Sequence, residues 1–163
     1  MVRDRAGFQG AAVRAVVLGL ALLGTSGAAI AQYRPMPLAG GGYSSKQVSE
    51  ARWKVRGFSP GGPEHLARHV ALYRAAVVAK RAGFDHFVIV DSWLQSARGR
   101  LFSSQNVELT VVGTNSPEVP VTCEAKKEWV RNCRVMDVKS VLQDSGAFLG
   151  RDSAADLLAD PPA

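Results

Sequence analysis

Cysteines, long apolar runs and catalytic motifs are scarce in this chain of 163 residues, and each scarcity excludes a class of protein. Two cysteines are too few for a disulfide-dense scaffold or a four-cysteine zinc site. The sequence has no Gly-x-Ser-x-Gly elbow, phosphate-binding glycine loop or Cys-x-x-Cys pair, which disfavours the common hydrolases, nucleotide-binding enzymes and disulfide oxidoreductases. The length favours one domain.

The N-terminal residues 1–31 have the three parts of a secretory signal peptide. A basic head precedes a short apolar core at 15–24, and a small-residue segment ends at Ala31. The core is shorter than the roughly 20 apolar residues that span a membrane. We therefore expect cleavage after Ala31 and a periplasmic or secreted mature protein without a transmembrane helix; the alternative is an uncleaved signal anchor. Because the new N-terminus, Gln32, is not cysteine, we do not expect lipid anchoring.

The remaining chain divides by composition into three parts. Residues 32–42 carry two prolines and three consecutive glycines, which predicts a flexible arm. Residues 43–150 form the predicted single domain, and residues 151–163 form a predicted flexible acidic tail that ends in two prolines and an alanine.

Periodicity within the domain predicts two helices. The segment 64–82 repeats apolar residues at helical spacing and is followed by Gly83, which indicates a left-handed helix stop. A second helix is expected to begin at an Asp137 cap and to be interrupted at Gly146.

Strands are predicted where apolar residues alternate with polar ones or form a continuous run. Alternation indicates strands at 51–58 and 107–111. The run 86–90 predicts a strand that is either buried on both faces or central with a helix covering one face, and we place it in the middle of the sheet. Residues 95–106 are expected to form a loop. The fold class is therefore α+β: a two-layer sandwich with a mainly antiparallel sheet of about five strands, and one long helix and a shorter C-terminal helix on one face. The first strand, the long helix and the strand 86–90 would form a parallel right-handed unit.

The two cysteines are expected to form a disulfide bond. Cys123 and Cys133 lie ten residues apart in the portion predicted to be exported, where disulfides persist. If the flanking segments are the arms of a hairpin, the two side chains lie opposite each other at a distance that a disulfide can bridge.

Part of the chain resembles a known family. The runs GGYSSKQVSEARWKVRGF and LYRAAVVAKRAGFDHFVIVD, within residues 41–91, are similar to a family of small proteobacterial envelope lipoproteins with no assigned function. The shared features are a Gly-Tyr-Ser opening, an aromatic-x-Val strand, a Tyr-Arg-Ala-Ala helix and a Gly-Phe-Asp-x-Phe strand. The resemblance covers about a third of the chain and implies a structural likeness without catalytic residues. The family has a lipid-acceptor cysteine where this chain has Gln32.

Basic residues suggest the most distinctive candidate site. The chain carries a net charge of +6, and alternation in the first predicted strand places Arg52, Lys54 and Arg56 on one face. Such a row of cations attracts anions. After export the available anionic surfaces are lipid headgroups and glycolipids, so the expected partner is an anionic envelope surface or an envelope protein, and not nucleic acid. The alternative is an ordinary solvated face.

The histidines and acidic residues support a weaker set of candidates. His65 and His69 lie four residues apart on the first helix and could share a metal ion, but no third ligand is evident. His86 and Asp91 border the strand 86–90, although strict alternation places them on opposite faces.

Taken together, these features predict a non-enzymatic exported protein of the cell envelope with no assigned catalytic residue, metal or cofactor. The alternative is a periplasmic hydrolase or metal-binding protein that uses one of these pairs.

Overall fold

The computed structural model describes residues 33–36, 40–63, 65–99, 103–117 and 133–159. Eight elements follow one another along the chain: β1 (Gly42–Ser49), β2 (Arg52–Pro60), α1 (Leu66–Arg81), β3 (His86–Arg98), β4 (Ser103–Thr114), β5 (Arg134–Asp137), α2 (Val138–Leu149) and α3 (Ser153–Ala159). The described strands form one antiparallel sheet in the order β1-β2-β4-β3-β5. The predicted α+β two-layer sandwich is confirmed.

The middle strand of this sheet is β4, and the prediction that residues 86–90 form the middle strand is wrong. Both β2 and β3 pair antiparallel with β4, so they run in the same direction with β4 between them. The predicted parallel unit therefore has the expected strand direction but lacks direct pairing. The continuous apolar run indicates that the strand is covered, and cover alone does not determine a strand's position in the sheet.

Helix α1 forms the centre of the second layer. Most of its residues from Leu66 to Ala79 are buried, because β2 and β4 cover one side of it and α2 covers another. The helix ends as predicted: Gly83 has a φ of 85°, and the Phe84 backbone N–H donates to the Ala79 carbonyl over 3.0 Å.

Helix α2 begins as predicted and ends later than predicted. The Asp137 carboxylate accepts a hydrogen bond of 2.7 Å from the Ser140 backbone N–H, as an N-cap does. The expected interruption at Gly146 is wrong, because the helix continues to Leu149 and stops at Gly150, whose φ is 62°. A Cβ at Gly146 would lie 3.1 Å from the Tyr73 ring, so glycine at this position permits close packing of α1 and α2.

The β3–β4 hairpin is longer than the sequence predicts. Residues 95–98 and 103–106 continue the two strands, so the predicted loop over 95–106 is wrong. This part of β3 is exposed and has no buried apolar face to produce an alternating pattern. Small and polar residues here therefore resemble a loop in sequence although their backbones pair.

The two segments expected to be flexible contain ordered contacts. In the N-terminal segment, Tyr33 is buried and Pro35 bridges to Tyr43. In the C-terminal segment, α3 places the side chain of Asp156 in the interior.

None of the helices in the described ranges is both long and apolar enough to cross a membrane. Residues 1–31, the cleavage position and Cys123 lie outside these ranges; Cys133 immediately precedes β5, and the disulfide stays a prediction.

Candidate functional site

The predicted basic residues lie on the side of the sheet opposite α1 and α2, which we call the outer face. In β2, Trp53 and Val55 are buried against the helices, and the alternating residues Arg52, Lys54 and Arg56 occupy the outer face. Successive residues on one face of a strand lie about 6.6 Å apart. The three cations therefore form a row along one strand.

A fourth cation, absent from the sequence prediction, joins this row from β1. Lys46 pairs directly with Lys54 in the register of β1 and β2, and both side chains are exposed. Directly opposed residues have Cβ atoms about 5 Å apart, and like charges at this separation destabilise a sheet. We call Lys46, Arg52, Lys54 and Arg56 the basic face.

The edge of the basic face includes polar and aromatic groups from β4 and β3. Arg56 Nε donates a hydrogen bond of 2.7 Å to Asn106 Oδ1, which fixes the direction of that side chain. Glu108 is opposite Arg56, and Trp93 is opposite Glu108 on the next strand. Trp93 is 49% exposed, so a large aromatic ring is accessible on the outer face, separated from the cations of β2 by strand β4.

A β-bulge changes the position of Asp91. The register of β3 against β4 shifts between Ile89 and Asp91, which places Asp91 on the outer face, where His86 also lies. The prediction from strict alternation that these two residues occupy opposite faces is therefore wrong. A bulge adds one residue to one strand and so reverses the alternation beyond it.

His86 and Asp91 are nevertheless far apart. They pair with Thr114 and Thr110 of β4, and these positions are separated by about 13 Å along a strand. The acidic neighbour of His86 is instead Asp137 in β5, with 3.8 Å between His86 Nε2 and Asp137 Oδ2. The structure therefore does not bring the proposed His86 and Asp91 pair together. The pKa of Asp137 is lowered, mainly by the hydrogen bond that its carboxylate accepts from the Ser140 N–H.

The histidine pair at the start of α1 has two different environments. His65 is exposed and has a left-handed backbone with φ of 71°. The His69 ring stacks on Phe148 at 3.9 Å and lies 3.3 Å from Ser145 Oγ. Burial, with a smaller contribution from Arg68 and His65, lowers the pKa of His69. The His69 ring thus packs against α2. Within the described ranges, no group of three or more His, Cys, Asp or Glu side chains could hold a metal ion.

Sequence reasoning missed Lys46, Trp93 and Asp137 as neighbours of the predicted sites. To place Lys46 beside Lys54, β1 must first be recognised as a strand. To place Trp93, the register of the extended β3–β4 hairpin must be known. Asp137 was identified from its sequence as a helix cap, but its proximity to His86 depends on the pairing of β3 with β5. Pairing between strands distant in sequence has no local signal.

Comparisons of this chain with family models, with curated proteins and with solved structures find no match.

Proposed function

We propose that this protein is an exported, non-enzymatic component of the cell envelope that docks on anionic phospholipid headgroups through its basic face. The observation that carries the proposal is the direct pairing of Lys46 with Lys54, between Arg52 and Arg56 in the register. This arrangement costs stability in the isolated protein. An anionic surface would remove that cost, because its charges would neutralise both lysines.

The number of cations predicts a weak and reversible attachment. Each Lys or Arg near an anionic membrane contributes about 1 kcal/mol. Four cations would then contribute at most about 4 kcal/mol, which corresponds to a dissociation constant of about 1 mM or weaker, because Glu108 lies opposite Arg56 and reduces the net charge. Trp93 lies on the same face and would add affinity, because its ring has an apolar body and a polar N–H suited to the interface between lipid and water.

The environment of the histidines favours binding over hydrolysis. The His69 ring packs against α2, and His86 and Asp91 are about 13 Å apart. The carboxylate nearest to His86 is that of Asp137, which is engaged as the N-cap of α2. General acid–base catalysis requires groups within hydrogen-bond reach of the same reacting atoms. The basic face, in contrast, has its charged groups already arranged for a flat anionic partner.

The proposal is tested by vesicle sedimentation with the mature protein. Vesicles of phosphatidylglycerol and phosphatidylcholine should bind it at low salt, and phosphatidylcholine alone should not. The double variant Lys46→Gln, Lys54→Gln should lose about 30-fold in affinity, as expected for two cations. The matched control, Lys80→Gln with Lys139→Gln, removes the same charge from α1 and α2 and should lose much less. Equal losses in the two variants, or binding insensitive to salt, would overturn the proposal.

Two further variants separate docking from folding. Lys54→Glu should raise the free energy of unfolding by about 0.2–1 kcal/mol, since it replaces a repulsive cross-strand pair with an attractive one, yet it should weaken vesicle binding. Trp93→Phe should remove the blue shift in tryptophan fluorescence that accompanies docking. A Lys54→Glu protein that is more stable and binds vesicles as the wild type does would refute a role for the basic face.

A further inference from the structure

A groove lies on the helix side of the sheet, away from the basic face. It has a volume of about 310 Å³ and opens between the start of α1 and the extended end of the β3–β4 hairpin. Its walls and floor are formed by Gly62, His65, Arg68, Leu94, Ser96, Ala97, Arg98, Ser103, Ser104, Gln105 and Val107.

The position of the groove follows from where α1 crosses the sheet. At Gly57 the backbone of β2 lies so close to α1 that an added Cβ would be 2.8 Å from the Ala71 nitrogen. In the register, Gly57 is level with Val107 of β4 and Leu94 of β3. The hairpin continues four residues further in each strand. These residues extend past the crossing point, and their helix-side surface becomes the floor of the groove.

The charged residues that line the groove in the described ranges are basic. Arg68 projects from the first turns of α1, and Arg98 lies at the far end of β3. The described residues that line the groove include no Asp or Glu. Arginine binds phosphate and carboxylate oxygens through paired N–H donors. Two arginines on separate elements can therefore contact different oxygens of one anion.

Neutral donors and an apolar end complete the lining. Ser96, Ser103 and Gln105 supply hydroxyl and amide groups that can bind further oxygens. At the end nearest α1, Val107 is buried and Leu94 is exposed. The groove thus combines cationic and neutral polar groups with apolar ones, as sites for small organic ligands commonly do.

A buried hydroxyl lies beside this lining. Ser59 is 1% exposed, and its Oγ has no hydrogen-bond partner within the described ranges. Ser59 pairs with Gln105 in the register of β2 and β4 and shares its side of the sheet. A buried polar atom without a partner costs about 1–3 kcal/mol. Ser59 is not among the residues that line the groove, so its hydroxyl is not counted as a ligand contact.

From these observations we propose that the groove binds a small organic phosphate, with the phosphate between Arg68 and Arg98 and its apolar portion against Leu94 and Val107. The number of donors in the lining favours phosphate over carboxylate, because a phosphate monoester offers three terminal oxygens and a carboxylate offers two. This site is distinct from the proposed membrane-docking surface, since the two lie on opposite sides of the sheet.

Isothermal titration with hexyl phosphate tests the proposal. Saturable binding at one site per chain is expected, and inorganic phosphate and hexanol, which each carry half of the ligand, should bind more weakly. Hexanoate should also bind more weakly. Loss of the charged hydrogen bonds in Arg68→Gln or Arg98→Gln should reduce affinity at least about tenfold. Both side chains are exposed, so these variants are expected to fold, and their thermal unfolding confirms it.

The basic-face variant Lys46→Gln, Lys54→Gln is the matched control. It removes two cations from the opposite side of the sheet and should leave the affinity for hexyl phosphate within about twofold at physiological ionic strength. Absence of saturable binding at low-millimolar hexyl phosphate would overturn the site. The same conclusion follows if both arginine variants bind normally, or if the basic-face variant loses as much affinity as they do.

Discussion

Tyr73 on α1 donates a hydrogen bond of 2.7 Å from its hydroxyl to the carboxylate of Asp156 on α3, 83 residues further along the chain. Both residues are buried. Arg151 also donates to this carboxylate, through Nε at 3.0 Å and through Nη2. Burial is the main cause that raises the pKa of Tyr73, and the bond to Asp156 also raises it. A short C-terminal helix is thereby joined to the central helix of the fold.

We predict that Tyr73→Phe lowers the free energy of unfolding by about 2 kcal/mol. The ring is retained, but the carboxylate loses one charge-assisted hydrogen bond, and such bonds contribute about 1.5–3 kcal/mol. Urea denaturation measures the change. In a double-mutant cycle with Asp156→Asn, the two effects should not add, because the residues share one interaction. Additive losses would show that the contact contributes nothing.

The stability of the protein should fall as the pH drops below about 6.5, the ordinary pKa of histidine. Burial lowers the pKa of His69 in the folded state, so the unfolded chain binds a proton at this residue before the folded protein does. Stability falls with decreasing pH wherever the unfolded state binds more protons. Urea denaturation between neutral and mildly acidic pH measures this slope.

His69→Phe is the variant that assigns the slope to this residue. Phenylalanine keeps an aromatic ring against Phe148 but cannot be protonated, so stability should become less dependent on pH in this range. His65→Gln removes an exposed histidine four residues earlier and should leave most of the slope. If His69→Phe and the wild type have the same pH dependence, the slope belongs to another group.

Gly57→Ala should strongly destabilise the fold. The new Cβ would lie 2.8 Å from the Ala71 nitrogen and also contact the Ala67 carbonyl oxygen, so α1 must move away from β2. Overpacking of this kind costs about 1–3 kcal/mol, and more where backbone atoms must shift. The control Lys54→Ala changes an exposed residue of the same strand and should alter stability by less than about 1 kcal/mol. Thermal unfolding compares the two; similar melting temperatures would contradict the close packing.

The elements that the sequence predicted well are those with local signals. The apolar stripe and the glycine stop determine α1 within a few residues, and Asp137 marks the start of α2 through one hydrogen bond to a residue three positions later. The alternation in β2 likewise predicts that Lys54 is exposed and Val55 buried. In each case, the physical cause lies within a few residues of the position that it explains.

The features that were not predicted depend on distant partners. β1 consists mostly of serine, lysine and glutamine, and its strand conformation is evident only from its pairing with β2. The reversal of faces at Asp91 arises from a bulge against β4, which a pattern of strict alternation cannot reveal. The candidate sites follow the same rule: Lys46, Trp93 and Arg98 acquire their neighbours through register.

The order of the sheet has a consequence for folding during synthesis. Because the middle strand β4 is fourth in the chain, β2 and β3 have no strand between them until residues 103–114 have emerged. Until then the β1–β2 hairpin and α1 can form a unit, but one edge of β2 remains without hydrogen bonds. A chain arrested before residue 103 therefore has an edge open to pairing with another chain, and such edges are where strands aggregate. The sheet is therefore complete only after the whole β3–β4 hairpin has been synthesised.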